Sequence, residues 1–446
     1  MSIFKECDIR GVYGENLDEE NAYLIGRAVG SLLSGKSIVV GGDVRISTPA
    51  LTDRLIDGLF QSGAEVINIG TVPTPLVYFG KSVLKAAGAV MVTASHNPAE
   101  YNGFKITLGE IPVSPENLKE LEKKIEKKDF IDLKGSVREY SIEKEYENFV
   151  LPLIQPQRKL KVVIDAGNGA MSELAPDIFS KAGHEVLELF CSFDGRFPNR
   201  GPNPAVYGNL DLLQEKVVDE EADIGIAFDG DGDRVVFVDN LGRFCESERS
   251  FVILIKDYLA KEKSSVVYDG KSSSVVKKSI ESAGSRAIME RSGHAFIKKT
   301  FLENNSILAG EISGHFFFRE FGFDDGLFAA LKMTRILSGT RETMAQMIDE
   351  IEKTAITPDL RIAMNEDSVS RIMDYLSGLE ETYPVSRLDG IRIEFPDGWL
   401  LVRKSVTEPC ITVRLEAGSR DSVIEISNRV FGDEYPEIHQ VLIQSL

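Results

Sequence analysis

The sequence predicts an α/β protein. Three similar α/β domains, each a mixed sheet covered by helices, precede a C-terminal α+β domain with an antiparallel sheet, all around a central cleft. Three observations predict this. One strand–helix–strand–strand pattern occurs three times in succession. Each occurrence ends in a loop of unusual composition. The last stretch of chain switches to alternation with period two.

Each repeat opens with an apolar strand that ends in a Gly/Asp turn. These are Ile38-Val39-Val40-Gly41-Gly42-Asp43, Val162-Val163-Ile164-Asp165-Ala166-Gly167 and Val266-Val267-Tyr268-Asp269-Gly270. A helix-length segment follows, as in 49–61, where Leu51, Leu55, Ile56 and Leu59 recur at helical spacing, and in 173–181. Gly63, Gly183 and Gly284 supply the stop signal after each helix. A second strand comes next, at 66–69, 186–189 and 287–289. A third apolar strand, at 89–92, 224–228 and 307–310, opens into the unusual loop. Strand–helix alternation implies sheets covered on both faces, and open α/β sheets offer ligand loops at strand ends. Segments 116–128 and 142–154 read as surface or linking helices, because charges line one face. At the end of the chain, 391–395 alternates, Pro396-Asp397-Gly398 turns, 399–402 returns, and 411–416 alternates again. The expected domains are 1–140, 141–245, 246–355 and 356–446.

Composition narrows the function classes. A chain of 446 residues is long for one core. No apolar run approaches the roughly 18 to 20 residues that span a bilayer, and the first residues lack a signal-peptide layout. Cys7, Cys191, Cys245 and Cys410 are scattered without metal-type pairing, as expected of a reduced, cytoplasmic protein. The net charge of −19 argues against nucleic-acid binding. It leaves room for a phosphorylated substrate, because a deep cleft can be locally basic.

The chemistry lies in the loops. After the third strand of the first repeat come Thr93-Ala94-Ser95-His96-Asn97-Pro98 and then Asn102-Gly103-Phe104-Lys105. Asn97-Pro98 and Asn102-Gly103 are turn dipeptides, so Ser95 is expected on a loop at a strand tip. A serine there often only closes a turn, but it is also well placed to act on a ligand. In the second loop, Asp229, Asp231 and Asp233 alternate with glycines. Carboxylates so crowded repel unless a cation neutralises them, and an all-oxygen set favours magnesium or calcium. A calcium EF-hand fits poorly, with Arg234 where glycine is required and Asn240 where glutamate is. The third loop, Glu311-Ile312-Ser313-Gly314-His315, offers groups that hydrogen-bond vicinal sugar hydroxyls. In the last domain, Arg403-Lys404-Ser405-Val406-Thr407-Glu408-Pro409 suits a phosphate dianion. Valine disfavours positive φ, so Val406 is expected to alter this loop's backbone. His184 and His439 lie outside every motif and read as structural.

Together these four loops resemble those of the α-D-phosphohexomutase family, and the resemblance covers nearly the whole chain. It implies reversible conversion of hexose 1-phosphate to hexose 6-phosphate, with mannose or glucose as the sugar. Phosphorylated Ser95 is the implied phosphoryl carrier, and a hexose 1,6-bisphosphate the implied intermediate and activator. Asp229, Asp231 and Asp233 are the implied Mg²⁺ ligands, with the Ser95 phosphate completing the shell. Arg10 and Lys105 match residues near the phosphoserine, and Lys105 is a candidate general base, which requires a lowered pKa. His315 is a candidate for proton transfer. Glu311 and Ser313 are implied to read the sugar. Arg234, Lys271 and His294 match substrate-holding positions, and Arg403, Ser405 and Thr407 match the phosphate clamp. The expected partners are small hexose phosphates, with no nucleic acid or membrane, for a monomer or homodimer. A phosphoglucosamine mutase and a non-catalytic sugar-phosphate-binding protein are the alternatives.

Overall fold

Strands Ser37–Gly42, Lys161–Asp165 and Val266–Asp269 lie inside three separate sheets. Each is apolar because it is covered on both faces. Val39, Val162 and Ile164, and Val266 point into one continuous core shared by all three repeats. Their neighbours Ile38 and Val40, Val163, and Val267 point into smaller, separate cores on the opposite face of each sheet. This is the period-two alternation of a strand between two apolar layers. A computed structural model describes residues 3–5, 8–206, 208–405 and 410–446.

The three sheets share one topology. The first strand of each repeat pairs in parallel with the second (Glu65–Thr71, Glu185–Leu189, Ala287–Glu290) and with the third (Gly88–Val92, Ile224–Phe228, Leu308–Gly310). A fourth strand then returns antiparallel beside the third: Tyr101–Leu108, Val235–Asp239 or Phe316–Phe318. Antiparallel neighbours need only a short connection, whereas parallel ones need a crossover. Each chemically unusual loop is therefore the turn between third and fourth strands, fixed at one end of its sheet. Gly63, Gly183 and Gly284 follow the helix ends at φ +85°, +93° and +69°, the left-handed values expected there.

Two local expectations are corrected. Asn102-Gly103 is not a turn but lies in strand Tyr101–Leu108. Glycine is required because strand Ile9–Val12 pairs there, and a Cβ on Gly103 would stand 2.1 Å from the Ile9 carbonyl oxygen. The 142–154 segment is a helix, Glu143–Val150, followed by a 3₁₀ turn, Leu151–Leu153. It is more than a surface linker, since Ile142, Tyr146, Val150 and Ile154 enter the shared core. The Tyr146 hydroxyl donates to Asp325 at 2.7 Å, tying this segment to the third repeat.

The last domain is built differently. Ile391–Phe395, Gly398–Lys404 and Cys410–Ala417 form an antiparallel meander, and Ala355–Ile356 and Leu360–Ala363 both pair with Cys410–Ala417. Its core, including Val369, Leu400, Val413 and Ile426, is separate from the shared one.

Candidate active site

The turn of each repeat reaches the same place. Ser95 Oγ donates to Asp229 Oδ2 at 2.8 Å, and the Lys105 ammonium bonds Asp231 Oδ2 at 2.7 Å and also Asp233. His315 Nε2 stands 3.4 Å from Asp233 Oδ1. A cavity of about 930 Å³ opens above them. Arg10, Tyr78, Ser95 and Lys105 line it from the first repeat, Asp233 and Arg234 from the second, and His294 and His315 from the third.

Ser95 is buried with φ +52°, in the left-handed region. That conformation costs a non-glycine residue on the order of 1–3 kcal/mol and persists only where the surroundings over-determine it. Here they do: its amide donates to Thr93 Oγ1 at 2.8 Å and its carbonyl accepts from Arg45 at 2.8 Å. His96 Nδ1 is 3.3 Å from Ser95 Oγ. Burial, then the cations Arg234, Arg10 and Lys105, push the His96 imidazole down to about 2, so it is neutral.

All three aspartates are fully buried at the end of strand Ile224–Phe228. Gly230 allows the approach of the two turns, since a Cβ there would stand 2.5 Å from the Ser95 carbonyl oxygen. Asp229 Oδ1 accepts from the Gly232 and Arg234 amides, and Asp231 Oδ2 accepts from Thr74 Oγ1 at 2.5 Å. Asp231 Oδ1 and Asp233 Oδ1 are buried without a hydrogen bond, and one oxygen from each aspartate lies within 4.8 Å of the others. Burial and the adjacent carboxylates push Asp229 up to about 7. Crowded, under-neutralised, all-oxygen donors of this kind fit a hard divalent cation. For Lys105, burial opposes the charge, but Asp231 and Asp233 outweigh it and hold the ammonium well above the ordinary lysine range. This differs from the lowered pKa expected of a lysine base, and the reason is the pair of carboxylates it touches.

The third turn is a closed polar cluster. Glu311 Oε2 accepts from Ser313 Oγ at 2.8 Å and faces His315 Nδ1 at 3.0 Å, and Glu311 Oε1 accepts from the Gly293 amide. Burial disfavours both charges, yet Asp233 and Glu311 raise His315 to about 10, and His315 and Ser313 lower Glu311 to about 2. His294 Nε2 lies 3.0 Å from Asp324 Oδ1.

Four models of the phosphoglucomutase/phosphomannomutase family match in chain order. Alpha/beta/alpha domains I, II and III match residues 1–132, 142–242 and 246–354, and the C-terminal domain matches 348–432. The chain belongs to the phosphoglucomutase/phosphomannomutase family. A phosphomannomutase/phosphoglucomutase of Pseudomonas aeruginosa is 39% identical over 433 residues, 95% of this chain and 94% of its own. A phosphoglucomutase of Neisseria meningitidis is 38% identical over 439 residues, 96% of this chain and 95% of its own. The crystal structure of a phosphoglucomutase/phosphomannomutase family protein from Burkholderia thailandensis matches with a TM-score of 0.90 at 34% identity, covering 96% and 95% of the two chains. The expected phosphohexomutase fold, with three α/β domains and an antiparallel C-terminal domain, is thereby shown, as is an enzyme that interconverts hexose phosphates. No helix among the described residues is long and apolar enough to cross a membrane.

The remaining predicted residues of this phosphohexomutase are placed less centrally. Arg10 lines the cavity and donates to Asn97 Oδ1 at 2.6 Å. Arg403 pairs with Asp389 at 2.8 Å, and Asp389 accepts from the amide of Ser292, a cavity-lining residue. Lys271 is not brought to the cavity lining: its ammonium bonds Asp359 and its carbonyl accepts from Arg414. The Ser405 amide donates to the Cys410 carbonyl at 3.0 Å. Val406 and Thr407 lie outside the described residues. His184 accepts from the Leu160 amide and His439 bonds Ser427, away from the cavity as expected. Thr74, Asp324 and Arg45 are participants that motif reading missed. Asp324 sits in Phe323-Asp324-Asp325-Gly326, where two adjacent acids follow an aromatic residue, and that pairing is the one local signal for it.

Proposed function

We propose that this mutase moves a phosphoryl group between O1 and O6 of mannose or glucose, with Ser95 as the carrier. The observation that supports the reading best is Ser95 Oγ held on Asp229, beside two buried carboxylate oxygens that accept no hydrogen bond, at the floor of a cleft lined from three domains. A hexose hydroxyl attacks the Ser95 phosphate. The bond from hexose oxygen to phosphorus forms, the bond from phosphorus to Ser95 Oγ breaks, and the hydroxyl proton passes to the protein. The bisphosphorylated hexose then turns over. Ser95 Oγ attacks its other phosphate, the sugar oxygen leaves, and that oxygen takes back a proton.

Asp229, Asp231 and Asp233, with a Ser95 phosphate oxygen, would hold Mg²⁺, which supplies charge neutralisation for the transferring group. Lys105 and His315 are the groups within reach of the reacting oxygens. Held as cations by the aspartates, they can return a proton to the leaving sugar oxygen, and either can take the hydroxyl proton only once a cation on Asp231 and Asp233 relieves that hold. Arg10 steadies the serine loop through Asn97. Glu311 and Ser313 orient the sugar hydroxyls. Arg234 and His294, on the cavity wall, hold the sugar phosphate, with Lys271 as the third substrate-holding position, and Arg403, Ser405 and Thr407 form the clamp on the non-reacting phosphate. That clamp moves, because the cleft must both enclose the intermediate and let it reorient.

Phosphorus NMR tests this. The protein is given magnesium, a trace of glucose 1,6-bisphosphate, and the 1-phosphate of glucose, mannose or glucosamine in separate tubes. Conversion of the glucose or mannose ester to its 6-phosphate is expected, and the fastest tube ranks the sugars. Fastest turnover of the amino sugar would move the assignment to a phosphoglucosamine mutase. No conversion in any tube would leave a binding protein.

A further inference from the structure

Arg45 is fully buried, and its guanidinium is spent almost wholly on backbone. Nη1 donates to the carbonyls of Pro98 at 2.6 Å and Tyr101 at 3.0 Å, and Nη2 to those of Ser95 at 2.8 Å and Asn97 at 2.7 Å. Nε is anchored on Asp43 Oδ2 at 3.0 Å. Asp43 also accepts from Thr93 Oγ1, and Thr93 Oγ1 in turn accepts from the Ser95 amide. One buried ion pair thus grips the serine turn at both its amide and its carbonyl side. The second domain covers this grip. Arg45 lies 5.1 Å from the Phe197 ring centroid, and a Cβ on Gly195 would stand 2.3 Å from the Val44 carbonyl oxygen.

Nothing in a serine turn by itself selects φ +52°, and a left-handed serine is unfavourable. Five donors in a rigid fork supply what the turn lacks. A lysine at the same place would offer a point charge and could not span four carbonyls. The aim of Ser95 Oγ at Asp229 depends on this backbone conformation. We propose that Arg45, anchored on Asp43 and capped by Phe197, is a positioning residue that holds the Ser95 turn in its phosphoryl-accepting conformation. The inference rests on the reading of Ser95 as the phosphoryl carrier. Arg45 touches no reacting atom and acts only through the turn.

The test compares wild type, Arg45→Lys and Arg45→Ala, each with magnesium and glucose 1,6-bisphosphate. Intact mass reports phosphoserine, hydrogen exchange reports the 93–103 peptide, and thermal melting reports folding. A misplacement of about 1 Å at a reacting group can cost about 10²-fold. Arg45→Lys is therefore expected to stay folded at the assay temperature, though with a lowered melting point because buried carbonyls lose their donors, and to lose about 10²-fold in kcat with KM little changed. In both variants the 93–103 peptide exchanges faster. Guanidinium ion at millimolar concentration slows that exchange again and restores part of the turnover in Arg45→Ala. Phe197→Leu, which keeps Arg45 but thins its cover, gives a smaller change of the same kind should Arg45→Ala not fold. Wild-type exchange and wild-type kcat in Arg45→Lys would overturn the inference while leaving phosphoserine on Ser95 in place. Wild type that never acquires phosphoserine would overturn the Ser95 reading, and with it any part for Arg45 in phosphoryl transfer.

Discussion

The two sides of the cleft are held by different physics. On the serine and metal-loop side, the first three domains share one apolar core, from Val39 and Leu76 through Phe179 to Phe251 and Phe328. On the phosphate-clamp side, the C-terminal domain keeps its own core and meets the third domain through polar contacts. Arg392 donates to the Gly270 carbonyl, Arg414 to that of Lys271, and Glu416 gathers Trp399, Ser273, Thr354 and the Ser274 amide. A shared core cannot shift without opening cavities, whereas a polar seam can exchange partners with water. Chemistry that needs sub-ångström placement sits on the first kind of contact. The proposed clamp, which has to open and close, sits on the second.

The largest effect expected on the rigid side is from Ser95→Ala. Turnover should fall by roughly 10³-fold or more, as for loss of a nucleophile, while melting stays near wild type because only one hydroxyl is removed. Steady-state kinetics beside a thermal melt checks both halves. Chelation comes next. EDTA should abolish conversion and magnesium restore it, without unfolding, because Lys105 already lies on Asp231 and Asp233 and neutralises part of their charge. Loss of the folded far-UV signal on chelation would contradict this.

On the polar seam the expected signature is different. Glu416 is nearly fully buried and accepts from Trp399 Nε1 at 2.5 Å, Ser273 Oγ at 2.5 Å, Thr354 Oγ1 at 2.6 Å and the Ser274 amide at 2.7 Å. Glu416→Ala strands these donors and should destabilise the docked C-terminal domain by about 2–4 kcal/mol. KM for the sugar phosphate should then rise about tenfold, a loss of roughly 1.4 kcal/mol in binding, with kcat changing less. A fall in kcat at constant KM would blur the contrast between the two sides.

The smallest effect lies in the shared core. Lys298 is buried, with its ammonium 4.5 Å from the Tyr78 ring centroid. Burial lowers it to about 8 from an ordinary 10.5, with Asp324 partly opposing. The folded chain thus binds fewer protons than the unfolded chain between those values, so stability rises with pH across that window and the penalty is complete below it. Lys298→Met should remove that slope and gain roughly 1–2 kcal/mol near pH 7, once the lost ring contact is allowed for. Denaturant melts at pH 7 and pH 10 measure it.

What was legible in the sequence follows the same division between local and distant. The Ser95 turn, the alternating aspartates and the Glu311 turn each carry their chemistry within a few residues. Their place at one end of three like sheets followed from strand order. Asn102-Gly103 misled because a glycine needed for close strand pairing reads the same as one needed for a turn. Arg45 grips a turn 50 residues away, and Thr74 reaches Asp231 across 157, so no spacing rule announces them. Lys271 matched a motif position, but its partner Asp359 comes from the last domain, and that contact decides where its ammonium goes.

The central claim is that the Ser95 oxygen, fixed by the first two domains, carries the phosphoryl group. The most direct measurement is peptide mapping of the protein after incubation with magnesium and glucose 1,6-bisphosphate labelled with ³²P. Label confined to the peptide containing Ser95, and discharged by unlabelled hexose 6-phosphate, is the predicted result. Rapid conversion of hexose phosphates with no label on that peptide would contradict the claim.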